Sequence, residues 1–181
     1  DKMSKSRGNV VVPDTYIKKH GADTVRSYFM FLGPFDQGGD FRDTGIAGMN
    51  RFYGRVWDLV TGTQNLILDN TGDAKATYVR IHQAIKRVTE DMENLRYNRA
   101  IAGIMEYVNF LQDMRGKGVP TKGKMRCTEW EEALQTLVKL VAPFAPHIAE
   151  ELWQSNWGGK KFVSVHLQAW PEFSPELTLE L

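Results

Sequence analysis

A single cysteine, Cys127, occurs in 181 residues. No disulfide can therefore form within the chain, and without a Cys pair a structural zinc site has no thiolate set to build on. No apolar run approaches the roughly 20 residues that a bilayer-spanning helix needs. The charged start Asp1-Lys2 is not followed by the apolar stretch of a secretory leader either. Neither a membrane role nor secretion is expected, and a cytoplasmic protein is. Net charge is nearly absent as well: 23 Lys and Arg against 22 Asp and Glu leave +1, so affinity for nucleic acid has to come from a local patch. The chain has no internal repeat, low-complexity tract or heptad array, and the phosphate-loop spacing G-x-x-x-x-G-K-[ST] is missing. What remains is a chain with 42% hydrophobic residues, enough for one sizeable core.

The first unusual stretch is Lys2-Met3-Ser4-Lys5-Ser6-Arg7-Gly8-Asn9. It combines three cations, two hydroxyls and a glycine with no apolar periodicity, which reads as a mobile loop suited to a polyphosphate. Lysine supplies a point charge with three donors, serine adds neutral donors, and Gly8 lets the backbone approach a phosphate. The bland alternative is a solvated basic terminus.

The rest reads as helices. Pro13-Asp14 starts a short one that Gly21 caps. Asp23 is placed to cap the next, whose Val25, Tyr28, Phe29 and Leu32 share a face before Gly33-Pro34 stops it. After a turn-rich connector, a long amphipathic helix from Asp43 or Thr44 carries Ile46, Met49, Tyr53, Val56, Trp57 and Val60 and continues towards Leu66 and Ile67. Asp69 to Lys75 reads as a turn. Ile81, Ile85, Val88, Met92 and Leu95 mark a second long helix from about Thr77 to Asn94. Ile101, Ile104, Met105, Val108 and Leu111 mark a third, closed by Arg115-Gly116. Thr128 with Glu131 forms a capping box for a fourth, and Pro146 opens a fifth carrying Ile148, Leu152 and Trp153. Phe162 to Val165 is an edge strand or extended segment. The fold class expected is all-α, an up-and-down helical bundle with an N-terminal loop and a short helical connector. Its expected divisions are 1–35 for loop and connector, 36–156 for the bundle and 157–181 for an extended tail leading to a further domain.

For contact with RNA, the clearest local signal is Arg115, Lys117, Lys122, Lys124 and Arg126, free of acidic neighbours and interleaved with Gly116, Gly118, Pro120 and Gly123. Such a loop suits phosphate contacts that position without reading bases. Arg51 with Arg55, and Arg96 with Arg99, are second candidates. The bland reading of each is ordinary solvated surface. Trp57 and Trp153 fall at core spacing, where packing outweighs base stacking. Glu150 and Glu151, pointing about 100° apart on a helix, are solvated or capping charges. His20, His82, His147 and His166 read as helix-end, core or surface residues, and no metal site is expected.

The string Lys2-Met3-Ser4-Lys5-Ser6 is similar to the KMSKS loop of class I aminoacyl-tRNA synthetases. Gly21-Ala22-Asp23-Thr24-Val25-Arg26, Met30-Phe31-Leu32-Gly33-Pro34, the run Ala142 to Trp153 and Ser164 to Pro171 together resemble the bacterial leucyl branch of that class, in the same order and nearly end to end. The resemblance implies ligation of leucine to tRNA(Leu) with ATP and Mg²⁺. It further implies Lys5 as the principal catalytic cation on the departing pyrophosphate, Lys2 as an auxiliary one, and Ser4 and Ser6 as ATP-contacting or loop-positioning hydroxyls. The bundle would be the tRNA-binding, anticodon-binding region. Partners implied are tRNA(Leu) and the remaining catalytic and C-terminal domains of a longer, monomeric parent. The chain lacks an initiator Met and begins within the loop, so a fragment is expected. It also lacks the His-x-x-His pair and the nucleotide-binding fold that accompany the loop, so activity alone, or stable binding of ATP or Mg²⁺, is not expected. The corresponding piece of an isoleucyl, valyl or methionyl enzyme, or a stand-alone helical RNA-binding or interaction module, are the alternatives.

Overall fold

Helix α3, Asp43–Thr61, contributes a long inward-facing stripe to the core. Its Ile46, Met49, Phe52, Tyr53, Val56, Leu59 and Val60 are all buried, a stripe at helical spacing that forces one face inward. The structure is a computed structural model that describes residues 4–8, 10–34, 36–37, 39–62, 66–67, 71–117, 119–120, 127–159 and 162–179. Among these residues the remaining α-helices are α1 (Pro13–His20), α2 (Ala22–Phe31), α4 (Thr71–Glu93), α5 (Tyr97–Lys117), α6 (Thr128–Val141) and α7 (Pro146–Trp157). The fold is all-α apart from one two-residue antiparallel pair, β1 (Leu66–Ile67) with β2 (Val119–Pro120), which ties the α3–α4 connection to the α5–α6 connection. Helices α3 to α7 share one core, in which Tyr107, Trp130, Leu134, Leu137 and Phe144 are almost wholly buried. Each such side chain contributes about 1.5–3 kcal/mol through removal from water. The Tyr107 hydroxyl donates to Ala133 O at 3.1 Å, so its burial leaves no lost hydrogen bond.

The short connector α1–α2 is pinned to this core by polar contacts. Asp23 is 4% exposed, and its carboxylate accepts from Ile148 N at 2.7 Å and from His147 Nδ1 at 2.7 Å. Helix α7 starts with Ala145-Pro146 and has no side-chain cap of its own, so a carboxylate from α2 satisfies its first turn. One helical turn on, the Ser27 hydroxyl donates to Phe144 O at 3.0 Å and lies 2.5 Å from Tyr53 Oη. Burial pushes the Tyr53 phenol well up, so it stays protonated and able to donate. Tyr16 on α1 donates to Asp43 Oδ1 on α3 at 2.7 Å.

Several local readings change for physical reasons. Asp23 does not cap α2, whose N-cap is Gly21; it lies inside the helix and serves α7 instead. Helix α3 ends at Thr61, where Gly62 N closes on Asp58 O at 2.8 Å, and Leu66-Ile67 leave the helix to form β1. Helix α4 begins at Thr71, so the stretch read as a turn is partly helical. No capping box forms at α6: Cys127 is the N-cap and no side chain caps it, because the Glu131 carboxylate accepts from the Trp157 indole N–H. Of the stretch read as an edge strand or extended segment, Phe162 to Ser164 pair in no strand, Ser164 is extended, and Val165 opens the 3-10 turn Val165–Leu167. Glu150 is indeed a capping charge, accepting from Ser164 Oγ at 2.7 Å and Val165 N at 3.1 Å. Partial burial pushes its carboxyl up, but the hydrogen bonds from Ser164, Gln154 and Val165 and the charge of His166 outweigh this and hold it below the ordinary value. Beyond it the chain runs back along α4, with Trp170 Nε1 donating to Thr89 Oγ1 at 2.9 Å and Ser174 N to His82 Nδ1 at 3.1 Å.

The α4–α5 corner shows a mismatch between residue and conformation. Arg96 N reaches Asp91 O at 2.7 Å and Leu95 N reaches Met92 O at 3.0 Å, the hydrogen-bond pair of a Schellman ending. The position that usually carries glycine holds Leu95, at φ 57° and 54% exposed. A branched residue in the left-handed region is strained, and little packing is lost by removing it. Leu95→Gly should therefore stabilise the chain by up to about 1 kcal/mol, read as a higher denaturation midpoint with an unchanged slope; a lower midpoint would contradict this account of the corner.

Candidate nucleotide loop and nucleic-acid interface

The amino-terminal loop closes on itself through its hydroxyls and backbone. Lys5–Arg7 make one 3-10 turn, Arg7 N donates to Ser4 O at 3.1 Å, and the Ser4 and Ser6 hydroxyls lie 2.7 Å apart. Gly8 follows at φ 65°, where a Cβ would meet nothing within 4 Å, so conformation rather than space calls for glycine. The backbone of Lys5 lies in this turn, while its side chain and the whole of Lys2 fall outside the described residues. Ser6 and Arg7 are exposed, so the loop presents a hydroxyl and a guanidinium to solvent. Val10 to Val12 then lead into α1, where Thr15 Oγ1 donates to Val12 O at 3.0 Å.

Three of the candidate arginines meet on one surface. Arg51 is exposed on α3, and Arg55 one turn later reaches across to α5, with Nη1 donating to Asn109 Oδ1 at 2.7 Å and Gln112 Oε1 at 3.3 Å. Its guanidinium also lies 5.9 Å from the Phe52 ring centroid. Arg115 on α5 pairs with Asp58 on α3 at 2.6 Å. A shallow cavity of about 610 Å³ lined by Gly48, Arg51, Phe52, Gly54, Arg55 and Asp58 runs along this face. Arg55 is thus aimed by neutral amides, which leave its charge uncompensated, whereas Arg115 is partly neutralised. Lys117 lies exposed at the end of α5, and Lys122, Lys124 and Arg126 fall outside the described residues.

The other arginine pair has a structural task. Arg96 Nε and Arg99 Nε lie 3.1 and 3.4 Å from Asp91 Oδ1, a carboxylate only 3% exposed. They line a groove of about 480 Å³ with Arg80, Lys86, Arg87, Glu90 and Glu106, where acids offset most of the positive charge. A buried carboxylate without such partners would be strongly destabilising.

One of the two tryptophans departs from its sequence reading. Trp153 is 6% exposed and belongs to the core, but Trp57 is 41% exposed. Trp57 follows the buried Val56 on α3 and so points about 100° away from the inward stripe. It lines a cleft of about 540 Å³ with His20, Gly21, Asn50, Tyr53, Gly54 and His147. The Asp23–His147 contact at this cleft was not foreseen. The available signal was a helix beginning Ala145-Pro146 without Ser, Thr, Asp or Asn before it, which needs an acceptor from elsewhere.

Comparison with known proteins places this geometry among relatives. The family described as the anticodon-binding domain of tRNA ligase matches residues 74–181, and the family of class I tRNA synthetases (M) matches residues 1–52. The leucine-tRNA ligase of Herpetosiphon aurantiacus is 45% identical over 180 residues, which is 99% of this chain and 21% of the relative. That of Rubrobacter xylanophilus is 41% identical, covering 99% of this chain and 21% of its own, and that of Thermotoga petrophila 38%, covering 97% and 22%. The chain therefore spans about a fifth of the length of the curated relatives it matches. A solved ternary complex of the LeuRS agnB2 of Agrobacterium radiobacter K84 with tRNA and LeuAMS superposes with a TM-score of 0.82 at 31% identity, over 98% of this chain and 23% of that one.

Proposed function

From its membership of the anticodon-binding-domain family of tRNA ligases, to which the chain belongs, we propose that it is the part of a leucine-tRNA ligase that carries the pyrophosphate-facing loop and the tRNA-binding bundle. The observation that carries the leucine reading is identity of 38–45% to leucine-tRNA ligases across 97–99% of the chain. The class I (M) match touches only the loop, α1, α2 and the start of α3, which leaves the amino acid open there. The rest of the chain supports leucine over the isoleucyl, valyl and methionyl alternatives. A cytoplasmic setting accords with a lone free thiol at Cys127.

In the parent reaction a leucine carboxylate oxygen attacks the α-phosphorus of ATP and the bond to pyrophosphate breaks, the leaving group taking the electron pair. Negative charge grows on the pyrophosphate oxygens as that bond lengthens. Lys5, carried on the 3-10 turn, meets those oxygens in the transition state, with Lys2 assisting, and so lowers the barrier without tightening ATP in its ground state. Ser4 and Ser6 contact phosphate or fix the loop's curvature. Among the described residues no three His, Cys, Asp or Glu side chains gather to hold a metal ion. Along α3 and α5, tRNA phosphates lie against Arg51 and Arg55, with Arg115, Lys117, Lys122, Lys124 and Arg126 adding positive charge at the α5 end. These contacts position the RNA and do not read its bases.

Lys5→Ala in the full-length enzyme should slow leucine-dependent pyrophosphate exchange by about 2–4 kcal/mol of barrier, with little change in ATP affinity; an unchanged exchange rate removes Lys5 from the mechanism. Arg51→Ala and Arg55→Ala should each weaken binding of tRNA(Leu) and flatten the slope of log K against log salt by about one. Unchanged slopes in both variants would take this face out of the interface.

A further inference from the structure

Three features of the cleft beside the arginine face point to a ligand. The first is Trp57, whose indole is 41% exposed although it sits mid-helix next to a densely packed core. The second is Gly54, one turn earlier on α3 and common to this cleft and to the Arg51–Arg55 surface. A Cβ there would meet nothing within 4 Å, so packing does not require the glycine, and glycine inside a helix is less stable than alanine. The space above it is kept open at a cost to the helix. The third is His147, whose side chain is 81% exposed while its Nδ1 is held by the buried Asp23 carboxylate at 2.7 Å. A carboxylate accepts, so Nδ1 carries a proton and the ring is fixed in place, with Nε2 turned to a different partner.

We propose that this cleft receives one unpaired base of the RNA whose phosphates lie along Arg51 and Arg55, stacked on Trp57 above Gly54 and met at its edge by Asn50 and His147. The inference rests on the RNA reading of the arginine face and extends it from the sugar-phosphate backbone to a base. Its support is continuity: phosphate and base of a single strand are neighbours, and here a cationic surface and an aromatic platform share the residue between them. A cleft of about 540 Å³ is within the size that small ligands occupy. An exposed indole offers a π-face that stacks with any base, so the site would hold an unpaired nucleotide without strict sequence choice. Asn50 is exposed and can both donate and accept, which suits a base edge of either polarity.

The test titrates the full chain with a tRNA(Leu) transcript and follows tryptophan emission together with affinity at several salt concentrations. Trp57→Ala should weaken binding about 5- to 150-fold, the range for one lost stacked base, while leaving the salt slope unchanged. Trp57→Phe should retain most of the affinity but lose the quenching that the wild type shows. Gly54→Leu should fill the cleft, weakening binding at least about 5-fold with a thermal midpoint no lower than that of the wild type. A Trp57→Ala variant that binds within twofold of the wild type, with quenching unaltered in Trp57→Phe, overturns the base site and leaves the arginine reading standing. Failure of the wild type to bind the transcript above its affinity for a random polyanion overturns both.

Discussion

A carboxylate buried between two helices 124 residues apart in sequence holds this molecule together in the way its function requires. Asp23 lies on the connector that follows the loop, and Ile148 and His147 lie on the first turn of the last helix of the bundle. Left without an acceptor, the Ala145-Pro146 start of α7 would expose amide donors inside the protein, which costs about 1–3 kcal/mol for each unsatisfied group. Left without donors, the carboxylate would be a lone buried charge. Each side is tolerable only because of the other, so the connector has one favourable seat on the bundle. Ser27 with Phe144 and Tyr53, and Tyr16 with Asp43, repeat the arrangement at neighbouring points.

That seat decides where the two ends of the chemistry lie. Val12, extended, leads into α1, and α1 and α2 are fixed to α3 and α7. The arginine face is on α3 and α5, and the tryptophan cleft lies where α3 meets the α1–α2 corner and the start of α7. Through α3 and the Asp23 link, the connector behind the loop and the arginine face belong to one packed unit. Arg55 has been aimed by Asn109 and Gln112 without losing its charge, whereas Arg96 and Arg99 are used up by Asp91. Electrostatic availability, rather than the count of basic residues, separates a candidate binding arginine from a structural one.

How much of this was legible in the sequence follows from the range of each interaction. The stripes of α3, α5 and α6 were readable because helical periodicity is written locally, and the all-α class followed from them. The loop stood out because its unusual residues are contiguous in the sequence. Asp23 and Glu131 were misassigned because each has an attractive local role as a cap, and a distant donor, Ile148 N or the Trp157 indole, outcompetes it. Trp57 was misread because its neighbours at helical spacing are core residues, and a single step around the helix takes it outside. Leu95 gave no turn signal at all: the Schellman corner forms on the strength of its backbone bonds despite a residue that resists it.

Amide hydrogen exchange on Asp23→Ala, compared with the unaltered chain, probes the link most directly. Loss of the carboxylate should speed exchange at Ile148 and along α1 and α2 together, while the α4–α5 pair keeps its protection. If α1 and α2 exchange at the same rate in both proteins, the connector is held by something other than Asp23 and the account of how loop and bundle are related is wrong.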